Sequence, residues 1–282
     1  MNEMFRGFYT VATGMIAEQR RTELLSNNIA NANTPGFKAD QSTIRAFPDM
    51  LMSTITKSGP ANRQNGYEGS SVKQIGALGT GTYMQETLPD YTQGQITATD
   101  MPTDVALVDG NLPVNEETGT KGAIFYRLQN EAGNEAYTRN GSFTLDAAGN
   151  LVNSQGLFVL SDQGQKINLQ SDDFQIRENG DVYEQGRRVA KLGVAYSDEP
   201  DTLAKRDAGL YYTNNGDNLP SAYTVNGVQF STKQGYIERS NVDSARTMTD
   251  MMTAYRAFEA NQKILQAYDR SMDKAVNEIG KV

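Results

Sequence analysis

The 282-residue chain has no cysteine, no histidine and no tryptophan, and only eight prolines. Without cysteine there are no disulfides and no thiol chemistry, and the compartment is left open. Without histidine, imidazole acid–base catalysis and nearly every zinc or copper site are excluded as well. Without tryptophan, the usual stacking platform for a sugar is missing. No apolar run approaches the ~20 residues of a membrane span. No basic cluster is longer than Arg20-Arg21 or Arg187-Arg188, and the net charge is −8 with a pI near 4.8. Sequence-independent nucleic-acid binding therefore lacks its electrostatic footing. Met1-Asn2-Glu3 offers no positive leader, and the apolar stretch after it is broken by Arg6 and Gly7. The expectation is a chain with no cleaved secretion signal.

Chemistry-bearing patterns are also scarce. Gly76, Gly79 and Gly81 form GxxGxG, which is neither a dinucleotide fingerprint nor a P-loop. Asp217, among Asn214, Asn215 and Asn218, lacks the spacing and terminal glutamate of a calcium loop. Asp198, Glu199 and Asp201 flank Pro200 as a solvated loop. The reading is of a protein that is not an enzyme, with no cofactor and no metal. The hydrophobic fraction of 38% and mean hydropathy of −0.58 are low for a compact enzyme. They are adequate for a β domain with a large exposed surface.

What is present is concentrated at the two ends. Met248, Met251, Tyr255, Phe258, Gln262, Leu265, Asp269, Met272, Val276 and Ile279 alternate steps of three and four, with no proline or glycine before Gly280. That is a heptad seam over more than four repeats. Ser240, followed three residues later by Asp243, reads as a capping box, so the helix is expected over 241–282. Forty residues make a rod of roughly 60 Å. Such a rod with one narrow seam needs a partner helix. At the other end Met4, Phe8, Val11, Met15, Glu18, Thr22, Leu25 and Ile29 keep the same rhythm over residues 1–33. Gly7 and Gly14, seven apart, fit a place where a neighbouring backbone comes close. Thr34-Pro35-Gly36-Phe37 reads as a type II turn after that helix, with Pro35 and Gly36 at its centre. If the two helices pair, they run antiparallel.

Between them, 34–75 reads as an extended connecting segment, with Lys57–Gly81 the most linker-like part. From there to residue 240 the signals are β: short apolar runs at Val105–Val108, Ile124–Leu128, Leu157–Leu160 and Leu192–Tyr196 separated by turn residues. Asn140-Gly141 and Asn226-Gly227 each lie between strand-like runs, the code for a type I′ hairpin. The fold class expected is α+β, with an antiparallel meander or small barrel inserted at 76–240 between the helices.

Two stretches carry a family resemblance. SNNIANANTPGFK at 26–38 resembles the N-terminal signature of flagellar rod and hook proteins, and residues 238–282, with SNVD and Arg256-Ala-Phe-Glu-Ala-Asn261, resemble the family's C-terminal helix. Tyr91-Thr-Gln-Gly94, Pro102-Thr-Asp104-Val-Ala-Leu and Tyr137-Thr-Arg-Asn-Gly-Ser-Phe143 also fit. The size resembles the distal-rod class, and the whole chain is most similar to rod proteins of Gram-positive flagella. Where the family has a Gly-rich stretch ending in aromatics, this chain departs, with Asp109-Gly-Asn-Leu-Pro-Val114.

The resemblance implies a discontinuous α-helical core domain from both termini, a connecting segment and an outer β domain. It implies a structural subunit that stacks helically with itself into the basal-body rod, a torque-transmitting shaft. Its partners would be other rod and hook proteins and the flagellar type III export apparatus, with no nucleic acid and no membrane insertion. The assembly interface would then be the seams: Met4, Phe8, Val11, Met15, Leu25, Ile29, Met248, Met251, Tyr255, Phe258, Gln262, Leu265, Met272, Val276 and Ile279. Gln262 and Asp269 would set register as polar seam residues. Rival readings are a secreted β-domain adhesin or phage tail component on a helical stalk, and a peptidoglycan-cleaving enzyme.

Overall fold

The structure is a computed structural model. It describes residues 2–56, 71–116, 118–130, 133–171, 173–206 and 209–279. Within these, the side chains of 2–6, 50–56, 71–75, 77, 78, 278 and 279 are not described. The chain divides into two compact units. One holds Met1–Ser26, Ser42–Thr87 and Met248–Val282; the other holds Asn27–Gln41 and Leu88–Thr247.

Helix α1 covers Asn2–Ala30 and α2 covers Ser244–Lys274, which runs into a π-helical turn at Ala275–Ile279. The α2 start differs from expectation. Asp243, not Ser240, is the cap: its Oδ1 accepts from the Ala245 and Arg246 amides at 3.0 and 3.1 Å. A carboxylate next to the first turn satisfies amides that have no partner in the helix. Ser240 Oγ accepts only from the Val242 amide, in the turn ahead of the helix. Helix α2 is therefore 31 residues, shorter than the forty expected.

In the first unit α1 and α2 lie side by side and antiparallel. A Cβ on Gly7 would overlap the Tyr268 hydroxyl, and one on Gly14 would meet Asn261 Nδ2 at 3.2 Å. Side chains, not a backbone, fill the space that these glycines leave. The same unit contains four strands: the first two and most of the third lie where a connecting segment was expected, and the fourth lies inside the expected β region. Strand β1 is Asp40–Ala46, β2 Met50–Thr56, β3 Ser71–Leu78 and β4 Thr82–Pro89; β1 pairs with β4, and β2 with β3 antiparallel. The glycines of 57–81 point to loop, but Ser71–Leu78 zips against Met50–Thr56, an apolar and β-branched run that supplies the pairing partner. The rest of that linker reading, 57–70, lies outside the described residues.

The second unit is built from short strands: β5 Ile96–Ala98, β6 Val105–Asp109, β7 Ala123–Gln129, β8 Glu135–Thr138, β9 Phe143–Leu145, β10 Leu151–Asn153, β11 Phe158–Val159, β12 Phe174–Ile176, β13 Asp181–Glu184, β14 Arg187–Lys191, β15 Val194–Ser197, β16 Ala204–Arg206, β17 Leu210–Tyr212, β18 Phe230–Gln234 and β19 Tyr236–Glu238. Its main sheet runs β16-β17-β8-β7-β11-β10-β9, with β15 beside β11 on the same edge of β7. That order is not a simple meander. Strand β7 is central and buries both faces. Ile124, Tyr126 and Leu128 enter one core with Val194 and Tyr196, while Ala123 and Phe125 enter another with Tyr137, Ala195 and Tyr211. The two-residue period of a strand divides them this way. Each large side chain so buried contributes roughly 1.5–3 kcal/mol.

Neither Asn-Gly pair makes a hairpin. Strand β9 pairs with β10, not with β8. Gly141 is needed for a different reason: a Cβ there would overlap the Val105 carbonyl, and the Val105 amide donates to Gly141 O at 2.9 Å. The Asn140 side chain accepts from the Ser142 amide and turns the chain into this contact. Asn226-Gly227 does form a turn, with Gly227 at φ +86°, but the strand after it, β18, pairs with β6. At 140–141 the contact with Val105 and the pairing of β9 with the next strand, β10, override the local signal; at 226–227 the long-range pairing of β18 with β6 does.

Candidate functional site

Among the described residues no helix is long and apolar enough to cross a membrane, and no group of three or more carboxylates is placed to hold a metal. The most unusual chemistry is a buried charged node in the second unit. It starts at the turn after α1. The Phe37 amide donates to Thr34 O at 3.3 Å and Gly36 stands at φ +68°, a conformation glycine adopts without strain. A Cβ on Gly36 would lie 2.5 Å from both Arg139 C and Asn140 N, and the Gly36 amide donates to Glu238 O at 2.8 Å. So the turn is pressed onto the 139–140 backbone and tied to the end of β19. This delivers Lys38 into the interior.

There Lys38 Nζ donates to Glu238 Oε1 at 2.6 Å and to Thr92 O at 2.7 Å. The Gly94 amide reaches the same carboxylate oxygen at 2.8 Å. Arg139 Nε donates to Glu238 Oε2 at 2.5 Å, and its Nη2 donates to Asp109 Oδ1 at 2.6 Å. Its remaining donors go to the Ile124 and Leu107 carbonyls. The side chains of Lys38, Arg139 and Glu238 are 3%, 2% and 1% exposed. Two cations face two carboxylates, so the node is neutral as a whole. Burial by itself raises the Glu238 carboxyl, but Arg139 and Lys38 outweigh it and hold that carboxyl below its usual range. For Lys38 burial and the Arg139 charge win over Glu238, and its ammonium is pushed down.

Polar side chains extend the node. Asn241 Oδ1 accepts from the Ala39 amide at 2.7 Å while its Nδ2 donates to Asp90 O at 2.8 Å. Asn28 and Asp40 exchange two bonds of 2.8 and 2.9 Å between side chain and backbone. Lys205 Nζ donates to Lys38 O and to Asp40 Oδ1, both at 2.8 Å, and sits 3.9 Å from the Phe37 ring centre. Each charged side chain of the node is engaged by another of its groups. What the node can do is clamp: it fastens 28–40, the first passage of the chain through this unit, to 238–241, near the end of its second. Asp109, the first residue of the departure from the family pattern, is a full member through Arg139. Sequence reasoning named Gly36 as a turn residue and Asp109 in the departure, but none of the ion pairs. The available signal was a charge in or beside each motif, Lys38 in TPGFK, Arg139 in YTRNG and Glu238 two residues before SNVD.

The helix seams are divided by the structure. On α2, Met251, Phe258, Leu265 and Met272 are partly buried, in line with Ala254, Asn261 and Tyr268. Met248, Tyr255, Gln262 and Val276 face solvent, with Met248 and Tyr255 each 55% exposed and Val276 71%. Met252 is exposed beside Met248 and Tyr255, and Ile264 is exposed on another side of the helix. On α1, Phe8, Val11, Met15, Leu25 and Ile29 are half-buried while Tyr9 and Ile16 are exposed. Met4 and Ile279 lie outside the described side chains.

Three family models match the chain: a flagella basal body rod protein model over residues 8–38, the D1 domain of the flagellar hook proteins FlgE/F/G over 120–184, and the C-terminal region of the flagellar basal body rod FlgEFG proteins over 233–278. The first and last together contain Lys38, Glu238 and Asn241. Among curated relatives, the flagellar hook-basal body complex protein FlhO of Bacillus subtilis is 46% identical over 279 residues, covering 99% of this chain and all of that protein. The flagellar basal-body rod proteins FlgG of Bacillus subtilis and of Borreliella burgdorferi are 31% and 30% identical, each over 97% of this chain and 99% and 98% of theirs. With that identity over the full length of both sequences, the chain belongs to the flagellar hook-basal body rod family, of FlhO and FlgG type.

Proposed function

We propose that this protein is a structural, non-enzymatic subunit of the bacterial flagellar basal-body rod, of the distal-rod kind, built into the shaft by its terminal helices. The observation that carries the reading is the apolar row on α2 turned to solvent, Met248, Met252 and Tyr255, with Val276 further along the same heptad line. Exposed large apolar residues in line on a long helix mark a surface that is covered in the working state. Residues 1–33 and 241–282 then form a discontinuous core domain, which takes in strands β1–β4, and the remaining β unit is the inserted domain. Many modest helix contacts repeated along a polymer give a stiff shaft without any single tight contact. Neighbours of the same family, rod and hook proteins, are its partners, and the type III apparatus is its route of export.

Sedimentation velocity across concentration, with far-UV circular dichroism, tests this on the full chain. The expected result is a concentration-dependent polymer that is abolished by Met248→Lys with Tyr255→Lys, with the β signal retained. A species of fixed size, monomer or trimer, at all concentrations would refute the reading and favour a stalked adhesin or tail component.

A further inference from the structure

One end of the β unit carries a groove of about 420 Å³ lined by Asp162, Lys166, Arg188, Val189 and Lys191. One wall is the outer edge of β14, the last strand in the order β12-β13-β14. Among the described residues, that edge makes a single backbone bond, from the Asp162 amide to Lys191 O. The groove is basic in a chain of net charge −8. Lys166 and Lys191 have no carboxylate partner among the described residues; each instead lies 3.5 Å from an aromatic ring centre, that of Phe158 or Tyr223. Arg188 is shared with Asp181, and Asp162 is occupied by the Ser221 hydroxyl. Val189 stands in the middle of these cations, 46% exposed.

The complement of this surface is on the same unit. Glu116 and Asp198 are exposed, and Asn115 donates to Glu199 at 3.2 Å, which joins the two acidic stretches. Beside them Val114 is 55% exposed. Each stretch holds one exposed apolar residue, Val189 or Val114, and Lys121, bridged to Val114, is an exposed cation beside the acidic one. The two lie at opposite ends of the stretch from Lys191 to Asp198, which contains β15. At about 3.3 Å per residue that stretch spans at most roughly 23 Å. The antiparallel register agrees, since Ser197 pairs with Ala123 near the acidic end, while Arg127 O accepts from Leu160 near the basic end.

We propose that the basic groove of one copy receives the acidic patch, Glu116, Asp198 and Glu199, of a second copy. Opposite patches on opposite ends make a head-to-tail contact, which does not close on itself and so propagates. The inference rests on the self-assembly reading above and adds a second, electrostatic contact on the β unit. It sets the order of copies, because like ends repel.

The test uses two charge-reversed full-length chains, Lys166→Glu with Arg188→Glu, and Glu116→Lys with Asp198→Lys. In the first both ends are acidic; in the second both are basic. Each alone should need about tenfold or more higher concentration to polymerise in sedimentation velocity. An equimolar mixture should polymerise like the wild type, by alternation. Circular dichroism checks that both variants fold. If either variant alone polymerises like the wild type, the cations only guard a strand edge against stray pairing, and the inference fails while the assembly reading stands. If the mixture is not rescued, these two patches are not partners. If the wild type never polymerises, the assembly reading falls and the inference falls with it.

Discussion

Glu238→Gln keeps the shape of the buried node and removes one charge from it. The amide can still accept from Lys38 and Gly94, but its NH₂ then faces Arg139 Nε, donor against donor, where a carboxylate oxygen had accepted at 2.5 Å. Two buried cations are left with one carboxylate, Asp109. Breaking a buried pair from one side costs about 3–5 kcal/mol. The structure offers one relief, loss of the Lys38 proton. At pH 7 an ordinary lysine gives that proton up for about 4.6 kcal/mol, which caps the penalty near the top of the range. The penalty should therefore shrink by up to about 2.7 kcal/mol between pH 7 and pH 9. Adding Lys38→Met should recover part of the loss, because Arg139 then balances Asp109. Urea unfolding followed by tyrosine fluorescence, across a double-mutant cycle at both pH values, measures all of this. A Glu238→Gln penalty under about 1 kcal/mol, or one that does not depend on pH, would refute the reasoning.

Three other perturbations have signs fixed by the structure. Gly36→Ala combines a φ of +68° with a Cβ 2.5 Å from two backbone atoms, so it should lose at least about 2 kcal/mol in the same urea assay. Asp243→Ala should cost about 1 kcal/mol at the start of α2, read as faster hydrogen exchange at the Ala245 and Arg246 amides, whereas Ser240→Ala should leave those amides unchanged. Burial raises the phenols of Tyr91, Tyr126, Tyr137, Tyr211 and Tyr223. Above pH ~10 the unfolded chain loses these protons and the folded chain keeps them, so stability falls there as pH rises; the tyrosinate absorbance of these five phenols, out of fourteen tyrosines, should appear together with unfolding and not before it. Glu238 works in the other direction. Its folded carboxyl is held low, so its contribution is complete above the unfolded value of ~4.3 and disappears as pH falls through the folded one.

The helices were legible in the sequence because three-four spacing sustained over many turns matches the helical period and no strand's. The face each one turns inward was less legible. On α2 the row Met251, Phe258, Leu265 and Met272 belongs to two overlapping stripes. One adds Met248, Tyr255 and Gln262, and the other adds Ala254, Asn261 and Tyr268. Counting apolar bulk selects the first. Close approach to α1 selects the second, because Asn261 meets Gly14, Tyr268 fills the space beside Gly7, and Ala254 in the same line is fully buried. The β strands with continuous apolar runs were legible for a similar reason: β7 and β15 are buried on both faces. The two Asn-Gly signals misled because a turn code describes four residues, while the pairing was decided outside them: Gly141 is held against Val105 and β9 turns to β10, and β18 pairs with β6, more than a hundred residues away.

The charged node escaped reading altogether, and the reason is physical. A lone Lys38, Arg139 or Glu238 looks like surface until its charged partners are known, and those partners are 30 to 200 positions distant. Yet the stretches that made the family visible are the ones that meet here: TPGFK with Lys38, YTQG with Gly94, YTRNG with Arg139, ERSNVD with Glu238 and Asn241. Apolar residues of equal volume would stabilise such a site about as well, but they would accept many registers. A carboxylate that must receive Lys38, Gly94 and Arg139 at once accepts one. That matters for a chain that crosses this unit twice, at 27–41 and again over 88–247. The first passage and the end of the second are locked together at Glu238, so the β unit is closed at a fixed place whatever its loops do.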